Sequence, residues 1–224
     1  MLHAIEIRET KGKEAALEIA KAQNDLGELY TNTGAYHKAA QLLEKALETC
    51  GRLLGPEHAD VAQTLEAIGN LDRKLGNDGE AESLFRQAMG IFGKTVGGDH
   101  PDYANAMESL ASDYSERQQY DLAEPLAGRI LEIREKAFGP DHHDIAVSLD
   151  SLGLIRLQQH HYAEAGALYE RALTIWGKLL GEQSPGLSPD LSNLAICYQH
   201  QGQAKVAEAL WKKALANDEK GLAS

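Results

Sequence analysis

Nine histidines, two cysteines and 34 acidic residues are the side chains of this sequence with chemistry to offer, and their spacing limits what that chemistry can be. A structural zinc site gathers about four ligands around one ion. His58, His100 and His142 instead recur at one position in each of three similar segments, so they read as polar residues near helix starts. The pairs His142-His143 and His160-His161 fall at turns and read as solvated. Cys50 and Cys197 are too few for a metal cluster or a disulfide framework, and both read as ordinary helix residues. Paired carboxylates are plentiful, as on any acidic helical surface, and none stands out for acid–base work. The glycines follow no strand and build no phosphate loop; they punctuate a repeat. No catalytic residue, no metal site and no cofactor follows from these residues.

The elements that must position all of them are repeated. Gly55-Pro56-Glu57-His58, Gly97-Gly98-Asp99-His100, Gly139-Pro140-Asp141-His142 and Gly181-Glu182-Gln183-Ser184 start at a constant interval of 42 residues. The resulting units are 13–54, 55–96, 97–138, 139–180 and 181–222, and residues 1–12 read as the end of a preceding repeat, a partial helix. Agreement extends to fixed offsets: Leu26, Ile68, Leu110, Leu152 and Leu194, each followed by Gly or Ala, then Ala39, Ala81, Ala123, Ala165 and Ala207. In the third unit Ala104, Met107, Leu110, Ala111 and Tyr114 make one helical stripe. Arg117-Gln118-Gln119 breaks it, and Ala123, Leu126, Ile130, Leu131 and Ile133 make a second stripe. Each unit is therefore two antiparallel helices, with the small residues letting the pair approach closely. Five prolines fall at or near the start of a first helix, and Pro125 is expected in the first turn of a second one.

Composition agrees with this reading and excludes several functions. The 224 residues include 32 Ala and 31 Leu against 4 Val, which favours helix. A net charge of −12 argues against a nucleic-acid binder, which needs a basic face. No apolar run approaches the ~18 residues of a membrane span, and the N-terminus lacks the basic and apolar regions of a signal peptide, so a cytoplasmic location is expected.

These repeats resemble the tetratricopeptide repeat, with its small residue, an Ala twelve later and another seven after that. The 42-residue period exceeds the usual ~34. The Gly-x-x-His-Pro junction, Ala123-Glu124-Pro125-Leu126 and Ile133-Arg134-Glu135-Lys136 are similar to the variant of kinesin light chains and many bacterial repeat proteins. The resemblance implies an all-α fold: a right-handed α-α superhelix, one continuous solenoid of five helix-turn-helix repeats plus a partial N-terminal helix. It also implies a non-enzymatic protein- or peptide-binding scaffold. Asp72, Asp78 and Ala204 depart from the pattern, where the family usually has aromatic residues.

In such stacks the first helices line the inner wall. With the core stripe at positions 8, 11, 15 and 18 of each unit, the stripe one residue later faces the groove. The candidate groove residues are Asn24, Glu28, Glu66, Asn70, Asn105, Glu108, Ser112, Asp150, Leu154, Leu157, Asn193 and Ile196. Recurrent carboxylates and amides, without a repeated set of cations from Lys21, Arg73 and Lys74, predict a neutral or basic protein or peptide partner. Val147, Leu154, Leu157 and Ile196 are apolar where exposure is expected and would form an anchor pocket, unless the fourth unit's first helix is buried nearly all round. Two alternatives stand beside the scaffold: a self-assembling protein whose open repeat ends stack into homo-oligomers, and a peptide-sensing module of a larger protein.

Overall fold

The computed structural model of the chain describes residues 2–223, with side chains described for residues 11–222. Among the described residues the regular elements are all helices. They are α1 (Leu2–Asn32), α2 (Tyr36–Leu54), α3 (Ala59–Leu75), α4 (Asp78–Thr95), α5 (Pro101–Glu116), α6 (Tyr120–Phe138), α7 (His143–Gln158), α8 (Tyr162–Leu180), a 3-10 turn (Pro185–Leu187), α9 (Ser188–His200) and α10 (Ala204–Ala223). The chain forms two compact units, Met1–Asp113 and Tyr114–Ser224. In the first, α1 packs on α2 and α3, and α3 on α4. In the second, α6 packs on α7, α7 on α8, α8 on α9, and α9 on α10.

Two kinds of turn make this pattern. Within a pair the chain reverses at one left-handed residue, and the next amide donates to the carbonyl five residues earlier: Ala35 to Tyr30 at 2.8 Å, Asn77 to Asp72 at 2.9 Å and His161 to Arg156 at 2.9 Å. Glycine holds the left-handed position in three turns, but Gln118 (φ 59°) and His160 (φ 63°) hold it in the others. Between pairs the chain leaves the helix at Gly55, Gly97, Gly139 and Gly181, all with φ near +80 to +90°. The histidine three residues later then caps the next helix. His58, His100 and His142 each accept, through Nδ1, the backbone N–H two residues on, at 3.2 Å. Ser184 does the same in the fifth unit. The recurrent histidines are thus capping residues.

Lys13 stands at the junction position where the other units have glycine, and it does not take the left-handed turn. Residues 1–12 are helical as expected from Leu2 onward, but α1 continues without a break to Asn32. The side chains of residues 2–10 lie outside the described residues.

Small residues set the spacing within pairs. A Cβ at Gly69 would stand 2.7 Å from the Phe85 ring, and one at Gly27 2.6 Å from Leu43. At Gly153 it would meet the Tyr169 ring at 3.1 Å. The large partners Leu43, Phe85 and Tyr169 are fully buried there. The third unit's expected stripe, Ala104, Met107, Leu110, Ala111 and Tyr114, is buried throughout. Pro125 lies deeper than the first turn: it is the sixth residue of α6, where its missing N–H leaves the Asp121 carbonyl without its helical donor. Asp121 is only the second residue of α6, so the lost bond falls in the helix's first turn and the helix continues unbroken to Phe138.

Candidate functional site

In the first unit, α1, α3 and α5 bound a cavity of about 480 Å³. Four of the expected groove residues line it, Asn24 and Glu28 from α1 and Glu66 and Asn70 from α3. They are joined by side-chain hydrogen bonds along the wall. Asn24 Nδ2 donates to Glu28 Oε1 at 3.0 Å, Ser109 Oγ to Glu66 Oε1 at 3.2 Å, and Arg73 Nη2 to Asn70 Oδ1 at 3.3 Å. Thr31, which also lines the cavity, is buried and turned back on the Gly27 carbonyl at 3.0 Å.

Burial gives this wall its electrostatics. The Glu66 carboxyl is pushed up to about 7, mainly by desolvation, with the Ser109 hydrogen bond opposing and the Glu28 charge adding. Glu28 is also raised, by burial first, against the Asn24 hydrogen bond and with a contribution from Asp25. Two carboxylates that disfavour each other's charge form a site that a cation, or several N–H donors, would relieve. Arg73 and Lys74 line the same cavity and offer donors for carbonyl groups. Ser109 was not among the expected residues. It stands one position past the Glu66-equivalent site and turns toward the preceding first helix, so only the packing of α3 on α5 reveals it. Asn105 and Ser112 of α5 are exposed and Glu108 is half-buried, and none of the three lines the cavity.

In the second unit the expected residues divide. Leu154 of α7 is 44% exposed, and Val147, Asn193 and Ile196 are half-buried. Leu157 is a correction: at 8% exposure it belongs to a core cluster with Ala165, Tyr169, Leu194 and Cys197. It lies in the last turn of α7, where Tyr162 and Ala165 at the start of α8 pack against it. Asp150 receives the Trp176 Nε1–H on Oδ2 at 2.7 Å, while its Oδ1 is buried without a hydrogen-bond donor. Burial and the neighbouring charge of Asp190 push the Asp150 carboxyl up to about 7, and burial raises Asp190 to about 6. Asp190 was not expected at a site, because it stands at the tenth position of its unit, outside the groove stripe, where Thr64, Ala106 and Ser148 are buried in the three preceding units.

Among the described residues no three His, Cys, Asp or Glu side chains converge as a metal site requires, and no helix is long and apolar enough to cross a membrane. Cys50 and Cys197 are free and buried.

The profile of a family described as tetratricopeptide repeat matches residues 18–94, 73–136, 102–175 and 150–220. Solved structures of similar fold include a protein of Podosopora anserina described as a kinesin light chain with nearly identical TPR-like repeats. It is 24% identical, the match covers 93% of this chain and 99% of that one, and the TM-score is 0.78. BtubC (BKLC) from P. vanneervenii is 20% identical over 97% of this chain and 92% of its own, with a TM-score of 0.81. MamA is 19% identical over 91% and 93%, with a TM-score of 0.61. Among curated protein sequences none matches this chain.

Proposed function

The chain belongs to the tetratricopeptide-repeat family, and on that premise we propose that it is a non-enzymatic scaffold whose first helices bind an extended or helical segment of a partner protein. The observation that carries this reading is the polar cavity where Asn24, Glu28, Glu66 and Asn70 meet. Amides can pair with the backbone of an extended segment, and the two carboxylates favour a neutral or basic one over an acidic one. Exposed Leu154 on α7, and half-buried Val147 and Ile196, supply apolar side chains that a partner could contact on the second unit. Buried free thiols suit a cytoplasmic setting.

The test is fluorescence anisotropy with peptide series of equal length and graded charge, against the wild type and folded Glu66→Lys and Leu154→Glu variants. Basic peptides should bind more tightly than acidic ones, and Glu66→Lys should reverse that order. Equal affinity across charge, unchanged in both variants, would refute the reading.

A second reading, association of copies, is favoured by one face of α1. Ile19 is 59% and Leu29 54% exposed, whereas their counterparts Val61, Ile145 and Leu187, and Leu71 and Ile155, are all buried. Light scattering over a concentration series separates the two, since a mass independent of concentration would remove the second.

A further inference from the structure

The junctions inside this chain show what covers the outer face of a second helix. Counted within each repeat unit, position 31 of a second helix shares its core with positions 14 and 17 of the next first helix. Leu43 of α2 clusters with Leu71 of α3, with Ile68 packed against them, and Tyr169 of α8 clusters with Leu194 and Cys197 of α9. Position 35 packs on the cluster that holds position 7 of the next first helix. Leu47 does so at Val61, Leu131 at Ile145 and Leu173 at Leu187. Partner positions run backward as the second helix runs forward, so each such pair is antiparallel.

At α1 and α10 the two halves of such a junction stand uncovered. On α10, positions 31 and 35 are Trp211 and Leu215, 38% and 59% exposed. Their counterparts at position 31 in the other units, Leu43, Phe85, Ala127 and Tyr169, are at most 4% exposed. On α1, positions 7, 14 and 17 are Ile19, Leu26 and Leu29, 59%, 39% and 54% exposed. The rims correspond as well. At two junctions inside the chain, position 18 of a first helix gives a donor to a carboxylate of the preceding second helix: Arg156 to Glu124 at 2.8 Å, and Tyr198 to Glu170. On α1 that position is Tyr30, and on α10 the position of Glu124 is Glu208.

We propose that copies of this chain associate head to tail, the α1 face of one copy covering the α10 face of the next as one repeat covers another within the chain. The proposal rests on the second functional reading, association of copies, and assigns that reading its two surfaces. Burial of the aliphatic face against Trp211 and Leu215 drives the contact. The junction is heterologous: it joins two different patches, so neither α1 with α1 nor α10 with α10 forms it.

The experiment is sedimentation velocity of the full chain over a concentration series, for the wild type, for Leu29→Glu, for Leu215→Glu and for an equimolar mixture of the two variants. Both substitutions replace exposed side chains, and circular dichroism checks that the helices remain. If either variant loses its helical signal, Ile19→Glu on α1 or Trp211→Glu on α10 takes its place. The wild type should associate. A carboxylate in the apolar junction has no partner, so each variant alone should associate at least about a hundredfold more weakly. The mixture should form pairs and stop there, because Leu29→Glu keeps its α10 face and Leu215→Glu keeps its α1 face. Association that survives either substitution alone would overturn the head-to-tail junction while leaving association of copies in place. So would two variants that stay monomeric when mixed. A wild-type mass independent of concentration would remove both.

Discussion

Replacing Gly69 by alanine measures how far the helix pairs depend on small residues at their crossing. Alanine is the better helix former by about 1 kcal/mol, so a glycine in the middle of α3 would be a simple gain to remove if there were room. There is none: the new Cβ would lie 2.7 Å from Cε1 of Phe85 and 3.0 Å from its Cδ1. Ordinary carbon contacts are ~3.5–4.0 Å, and Phe85 is fully buried, so either ring or helix must move by nearly an ångström. Overpacking of this size costs about 1–3 kcal/mol. Set against the propensity gain, Gly69→Ala should destabilise the chain by about 1 kcal/mol, read by urea unfolding at constant m-value. Gly128, inside α6, has nothing near its Cβ position, so Gly128→Ala should stabilise by up to about 1 kcal/mol. A Gly69→Ala variant as stable as the wild type would refute the close-packing account. So would a double variant with Phe85→Ala in which the two losses simply add.

Three further outcomes follow from the same structure. Gln118 sits at φ 59° in a turn where other repeats use glycine, so Gln118→Gly should raise stability by about 1 kcal/mol in thermal or urea unfolding. His58→Ala should cost about 1 kcal/mol by removing the cap on the Asp60 N–H, whereas His58→Ser should retain most of it. The Glu66 carboxyl, raised to about 7 from an ordinary 4.5, holds its proton in the folded chain where the unfolded chain has lost it. Its contribution is present at low pH and lost as pH rises toward 7, at no more than about 1.4 kcal/mol per pH unit. Glu66→Gln should flatten that part of the stability profile and leave the protein more stable than the wild type at pH 8.

The repeat made most of the fold legible, because a pattern seen five times averages out local ambiguity. Helix pairing, the turn positions, the glycine contacts and the capping histidines all follow from side chains that recur at fixed offsets. The departures arise where one unit differs from the others. Lys13 replaces a junction glycine, and α1 therefore runs on through the expected boundary. Pro125 is tolerated inside α6 because a single turn precedes it. Leu157 obeys the groove stripe by number, yet the start of α8 packs over it. The cavity wall was legible in Asn24, Glu28, Glu66 and Asn70, whose spacing puts them on one face of each first helix. Ser109 and Asp190 were not, since each acts on a neighbouring first helix and their roles depend on how two helices pack, which periodicity within one helix does not encode.

The central claim is that partners bind along the first helices. Amide hydrogen–deuterium exchange on the full chain, with and without the tightest basic peptide of the graded series, tests it most directly. Added protection should concentrate on α1 and α3 around Asn24, Glu28, Glu66 and Asn70, and on α7 and α9 around Leu154 and Ile196. Protection confined to α2, α4, α8 and α10, with the first helices unchanged, would contradict it.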